Sequence, residues 1–203
     1  MSNKIIGFDL DNTIVDYKNS LTYLSEYLYG YNEKNKSVSK NEIKNFIINK
    51  YDESKWTNIQ GILYSFLMEK ALIDKNFFKL IDFLVSKKYE IVIVSHRSII
   101  PDSGDPYDLQ LSARKWINKN IIQTIDRQKT KIDYFLLNSY SKKIAKIKKI
   151  APLFFIDDLL SVCNDVKSYT RPILFGNDAF VSNDEIISIN NFSNILKYFR
   201  KIL

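Results

Sequence analysis

Short apolar runs, separated by longer stretches with helical spacing, recur along most of the chain. Lys4–Phe8 reads as a buried strand, Asn76–Lys88 as an amphipathic helix and Ile91–Val94 as a second buried strand. Ser98–Asp108 carries Pro101, Gly104 and Pro106 and reads as a loop. The rhythm then continues: a helix over Leu109–Asn118, a short strand over Tyr134–Leu137, a helix over Ser141–Ile150, a strand over Leu153–Ile156 and a helix over Leu159–Lys167. Ile173–Phe175 reads as a last strand stopped by Gly176, and Asn191–Ile202 as a closing helix. Alternating strands and helices imply an α/β fold with a mainly parallel sheet. In such sheets the functional groups lie beyond the carboxyl ends of the strands.

One long segment, from about Thr13 to Asp74, breaks this rhythm and carries no strong strand signal. Leu21, Leu24 and Leu28 fall at helical spacing, as do Ile59, Ile62, Leu63, Phe66 and Leu67. A polar loop over Asn32–Ser37 separates them, and Ser39 with Glu42 three residues later forms a capping-box pattern. The segment reads as a small helical bundle inserted after the first strand.

Composition narrows the setting. A chain of 203 residues holds one α/β core plus a small insertion. No apolar run approaches the roughly 20 residues that span a bilayer, and no signal peptide is readable at the N-terminus. The single cysteine, Cys163, excludes an intramolecular disulfide, so a cytoplasmic setting is expected. The net charge of +7 raises nucleic acid and membrane surfaces as partners. The lysines are spread out rather than grouped with aromatic residues, which weighs against nucleic acid.

The chemistry gathers where the apolar runs stop. Ile5-Ile6-Gly7-Phe8 leads into Asp9-Leu10-Asp11-Asn12-Thr13. Strand alternation would point Asp9 and Asp11 to one face, where two carboxylates repel unless a hard divalent cation such as Mg²⁺ joins them. One acid is then suited to nucleophilic attack and the other to proton transfer. Two solvated turn acids would read the same way in isolation. Ser95 closes the run Tyr89–Val94, however, and Asp157-Asp158 closes Leu153–Ile156. Lys143 stands just ahead of the apolar stripe Ile144 and Ile147, with Lys142 as the neighbouring alternative.

In order and spacing these pieces resemble the four motifs of the haloacid dehalogenase-like (HAD) phosphohydrolases: D-x-D-x-T at Asp9–Thr13, the hydroxyl Ser95, the lysine Lys143 and the acid pair Asp157-Asp158. The resemblance covers nearly the whole chain. It implies a Rossmannoid parallel sheet with helices on both faces, a core over 1–13 and 75–203, and a helical C1-type cap over 14–74 that selects the substrate. It also implies roles. Asp9 would attack phosphorus and Asp11 would act as acid and base. Ser95 and Lys143 would bind the phosphoryl group. Mg²⁺ would be held by Asp9, the Asp11 carbonyl, Asp157 and Asp158.

A narrower resemblance is to a subgroup with S-H-[KR], here Ser95-His96-Arg97, and G-P-x-Y-D-L, here Asp105-Pro106-Tyr107-Asp108-Leu109 with Asp in place of the Gly. Its W-x-x-x-Q-G matches Trp56–Gly61 and its F-I-D-D-L matches Phe155–Leu159. Members often stand among genes for surface polysaccharides, which implies a sugar, polyol or amino-alcohol phosphate as substrate. Trp56, Gln60, His96 and Arg97 are candidates to contact it. A small phosphorylated metabolite is therefore the expected partner. A dehalogenase has no need of the second acid, so Asp11 argues against one. A phosphomutase, a nucleotide or nucleic-acid phosphatase, and a non-catalytic phospholigand-binding protein are the rival readings.

Overall fold

A computed structural model describes residues 4–32, 39–125, 132–176 and 185–203. Most of the polar loop expected over 32–37 lies outside the described residues. In chain order the elements are β1 (Ile5–Phe8), β2 (Val15–Asp16), α1 (Lys18–Tyr29), α2 (Lys40–Lys50), α3 (Glu53–Tyr64), a 3-10 turn (Phe66–Lys70), β3 (Leu72–Ile73), α4 (Lys75–Ser86), β4 (Glu90–His96) and α5 (Leu109–Ile117). A π turn (Asn118–Ile122), β5 (Ile132–Leu137), α6 (Tyr140–Ile150), β6 (Phe154–Asp157), α7 (Leu160–Val166), β7 (Arg171–Phe175), β8 (Ile187–Ile189) and α8 (Phe192–Ile202) complete it. The chain divides into two compact units: 1–15, 73–97 and 122–203 form the first, and 16–72 with 98–121 the second.

The first unit is built on a sheet of order β5-β4-β1-β6-β7-β8, with every neighbouring pair parallel. Successive side chains on each strand point to opposite faces. On one face Phe8 of β1 packs edge-on against Phe77 of α4 with ring centroids 5.6 Å apart, and Phe154 of β6 lies 4.9 Å from Phe199 of α8. On the other, Val92, Val94 and Phe155 bury against Ile144 and Ile147 of α6 and Val162 and Val166 of α7. This is an α/β sandwich built on a parallel sheet, as the alternating pattern predicts. The strand order reverses at β1, which lies between β4 and β6. A crevice at their carboxyl ends is where such a sheet binds ligands.

Gly7 makes this junction close-packed. A Cβ there would stand 2.5 Å from Phe155 Cδ2 and 3.3 Å from Pro152 Cγ. The absent side chain is what lets Phe155 fill the face between β1 and α6.

The second unit is helical, apart from the ends of β2 and β3 at its boundary. Ser39 and Glu42 form the expected capping box at the start of α2. Its core includes Leu21, Leu24, Ile43, Ile47, Trp56, Ile59, Leu63 and Trp116. The segment 98–108 lies tightly on α3. A Cβ on Gly61 would come within 3.0 Å of Pro101 Cβ, and one on Gly104, whose φ is +91°, within 2.5 Å of Asn58 Oδ1.

Several expectations shift. β2 and β3 fall in the segment read as strand-free, and β8 was not anticipated. The helical stripe through Ile59 and Leu63 does not continue to Phe66. The backbone leaves helical geometry at Ser65, with φ −105° and ψ −92°, and α3 gives way to the 3-10 turn. Phe66 is left 60% exposed. Leu28, at helical spacing with Leu21 and Leu24, is also exposed, in the last turn of α1.

Replacement of Gly7 by alanine should overpack the β1–β6 junction and lower folding stability by about 1–3 kcal/mol. Urea unfolding of Gly7→Ala beside the unaltered chain measures it, and equal midpoints would refute the close-packing argument.

Candidate active site

Asp9 continues the β1 ladder by one residue: its N–H donates to the Ile156 carbonyl at 2.8 Å. It therefore shares the face of Gly7, as Asp157 at the end of β6 shares the face of Phe155. Both carboxylates thus point to the side covered by α6. Lys143 is in the first turn of α6, and Ser139 caps that helix by accepting from the Lys142 N–H at 3.3 Å. The Lys143 Nζ donates to Asp9 Oδ1 at 2.7 Å and to Asp157 Oδ2 at 2.6 Å. Lys142 instead turns outward to Asn138, so the lysine that points inward is Lys143.

Asp11 has different partners. β1 ends at Phe8, Ile14 and Val15 both donate to the Leu10 carbonyl, and Asn12 has a φ of +58°. The chain is already turning at Asp11, so strand alternation does not carry that far. Its carboxylate meets β4 instead. Ser95 Oγ donates to Asp11 Oδ2 at 3.3 Å, and the Arg97 guanidinium forms an ion pair with Oδ1. Ser95 therefore contacts Asp11, and Lys143 contacts two carboxylates, where the resemblance had given both to a phosphoryl group.

Burial pushes the Asp9 carboxyl well above the usual range; Lys143 opposes this, while Asp157, Asp158 and Asp11 add to it. Burial alone would lower the Lys143 ammonium, but Asp9 and Asp157 outweigh it and raise it above the ordinary lysine value. The two directions agree physically: one cation serves two carboxylates, so the lysine stays charged while a carboxylate favours a proton. Asp9, Asp157 and Asp158 place one ligand oxygen each within 4.8 Å of one another. A trio of hard oxygen donors of this kind suits a divalent cation. Cys163, on α7, is fully buried, and burial, followed by the Asp157 charge, pushes its thiol up to about 12. It is an inert filler.

The structure thus brings Asp9, Asp11, Ser95, Arg97, Lys143 and Asp157 together as buried groups of the first unit, with Asp158 half-buried beside them. His96 points outward and is exposed. Trp56 is 4% exposed and belongs to the core of the second unit, where its ring has little surface left for a ligand. Gln60 is half-buried, with its amide 3.5 Å from the Tyr64 hydroxyl. Among the described residues, neither Trp56 nor Gln60 lines either of two clefts in the second unit. The larger, about 610 Å³, runs along Phe66, Tyr107, Leu111 and Lys115. The smaller, about 350 Å³, is lined by Asn58, Pro101, Ser103 and Tyr107 among others. Phe66 and Tyr107 share both, with rings 4.3 Å apart. Only Tyr107, through the Y-D-L resemblance, had left a signal in the sequence.

No protein-family model matches the chain, and no curated protein matches it. Solved structures do. A HAD-superfamily hydrolase from Ehrlichia chaffeensis is 20% identical with a TM-score of 0.54, covering 98% of this chain and 97% of its own. A Thermotoga maritima protein provisionally assigned as a beta-phosphoglucomutase is 10% identical with a TM-score of 0.61, covering 98% and 99%. The magnesium-bound YfnB of Bacillus subtilis is 13% identical with a TM-score of 0.55, covering 96% and 97%. The chain has the fold of the HAD-superfamily hydrolases. Among the described residues no helix is long and apolar enough to cross a membrane.

Because burial holds the Asp9 carboxyl above its ordinary range, the folded chain binds a proton there more tightly than the unfolded one. That stability is present at low pH and is lost as pH rises through the folded value. With chelator present, Asp9→Asn should therefore become progressively more stable than the unaltered chain above the ordinary carboxylate range. The gap should widen by up to about 1.4 kcal/mol per pH unit while Asp9 titrates. Urea unfolding at several pH values reads it, and parallel stability curves would contradict it.

Proposed function

We propose that this protein is a Mg²⁺-dependent phosphatase that hydrolyses a small phosphomonoester through an aspartyl-phosphate on Asp9. The observation that carries the reading is the charge balance of the site. Four carboxylates, Asp9, Asp11, Asp157 and Asp158, face two buried cations, Lys143 and Arg97. With all four ionised the cluster is two positive charges short, the deficit that a divalent cation fills; without one, the Asp9 carboxyl favours a proton. When bound, Mg²⁺ would neutralise carboxylate and phosphoryl charge together, so that an anionic nucleophile can approach an anionic substrate. Asp9, Asp157 and Asp158 would hold it, with the Asp11 carbonyl.

The remaining steps belong to the side chains. An Asp9 oxygen bonds to phosphorus as the bond to the alkoxide breaks, and Asp11 gives that alkoxide a proton. Asp11 then takes a proton from water as the water attacks phosphorus and frees Asp9. Lys143 supplies positive charge at Asp9 as negative charge builds on the phosphoryl oxygens. Ser95 exchanges its Asp11 contact for a phosphoryl oxygen. A sugar, polyol or amino-alcohol phosphate of surface-polysaccharide precursor synthesis is the substrate class that the S-H-[KR] and F-I-D-D-L motifs support. The helical segment 14–74 is the substrate-selecting cap in this reading. The Thermotoga neighbour supports a second reading, phosphoryl transfer back to a sugar.

Phosphate release from a panel of sugar, polyol and amino-alcohol phosphates and nucleotides, with and without Mg²⁺, tests the assignment. Release should require Mg²⁺ and fall by at least about 10⁴-fold in Asp9→Asn. An isomeric phosphate in place of free phosphate would establish the mutase. No turnover from a folded, Mg²⁺-binding chain would overturn both.

A further inference from the structure

Asp11 stands on a turn rather than on β1, so the sheet does not orient its carboxylate. Something else must hold it, because proton transfer needs the donor within hydrogen-bond reach of the leaving oxygen. Two groups are in place. Ser95 Oγ reaches one carboxylate oxygen at 3.3 Å, long for a hydroxyl donor and therefore easily exchanged. The other oxygen is held by the Arg97 guanidinium in a charge-assisted bond. Arg97 is anchored at both ends. Its backbone N–H donates to the Leu137 carbonyl of β5 at 2.7 Å, directly after β4, and its side chain is 1% exposed. A guanidinium so buried is costly to separate from its carboxylate.

Resting on the phosphatase reading above, we propose that Arg97 is a positioning residue for Asp11. It holds the carboxylate from one oxygen throughout the reaction, which lets Ser95 release the other when a phosphoryl group arrives. Ser95 is the exchangeable half of the clamp and Arg97 the fixed half. The planar, permanently charged fork suits this task, and a lysine reproduces its charge but not its geometry. The same clamp explains why the second acid needs no help from strand geometry. The rival is a purely structural role, in which Arg97 offsets buried charge and does nothing to the order of events at phosphorus.

The two roles separate kinetically. The leaving group of p-nitrophenyl phosphate needs no proton, so Asp9 can be phosphorylated without Asp11, whereas release of the phosphate needs Asp11 to activate water. Arg97→Met should therefore give a burst of close to one nitrophenolate per site, followed by turnover at least about tenfold slower than in the unaltered chain. With an alkyl phosphate that the unaltered chain hydrolyses, kcat should fall about a hundredfold with KM little changed, and Arg97→Lys should recover part of it. A rise in KM with kcat intact, or an equal loss on both substrates without a burst, would overturn the assignment. A crystal structure of Arg97→Met gives a readout independent of turnover: Asp11 should be displaced while Asp9 and Lys143 stay in place. An unmoved Asp11 would overturn the proposal even in an active enzyme. If Arg97→Met does not fold, Arg97→Lys carries the same kinetic and crystallographic comparisons. A chain inactive on every substrate would refute the phosphatase reading alone, and the crystal structure would still decide the role of Arg97.

Discussion

The ammonium of Lys143, buried between Asp9 and Asp157, is the contact on which the site depends. It joins the ends of two strands to the first turn of a helix that covers them. Truncating one member of such a group leaves a buried charge without its partner, which typically costs about 3–5 kcal/mol. The bridge works only because β1 and β6 are parallel neighbours in matching register, Gly7 beside Phe155 and Phe8 beside Ile156. Alternation then delivers Asp9 and Asp157 to the same face. Gly7 makes room for Phe155, which lets α6 lie close enough for its lysine to reach.

A second ion pair, Arg97 with Asp11, adjoins the first but is built differently. Lys143 joins residues that the sheet has already aligned. Arg97 joins the end of β4 to a turn that the sheet does not align. The two cations divide the D-x-D pair between them, so each aspartate has its own neighbours. That division gives physical content to two carboxylates with distinct roles: the charge around each is set by a separate element of the fold. Both pairs leave the acid cluster short of positive charge, and that shortage suits it to a divalent cation.

The second unit shows how far residue pattern alone reaches in the absence of a sheet. Its helices follow from apolar spacing and from the Ser39–Glu42 box. Which aromatic residues face solvent does not. Trp56, at the head of W-x-x-x-Q-G, is a candidate to touch substrate but closes the core of the unit. Phe66, which looks like the next residue of the buried stripe, lies on the wall of the clefts because the backbone leaves helical geometry at Ser65. The break in helical geometry at Ser65 sets where Phe66 lies. Periodicity carries no trace of it.

The α/β rhythm, the parallel sheet, the acids at the ends of β1 and β6 and the inserted helices all follow from the sequence by itself. These features depend on local period and on where apolar runs stop, both of which are written along the chain. The choice of Lys143 over Lys142 was legible only as a place ahead of an apolar stripe, and the packing of α6 decided it. The distinct partners of Asp9 and Asp11, with the capture of Asp11 by Ser95 and Arg97, belonged to the tertiary structure alone. Each depends on a turn that ends strand alternation, or on residues more than 80 positions apart, such as Arg97 and Asp11, meeting in a buried pair. No one-dimensional pattern encodes such a meeting, because its energy arises only when both partners lose water together.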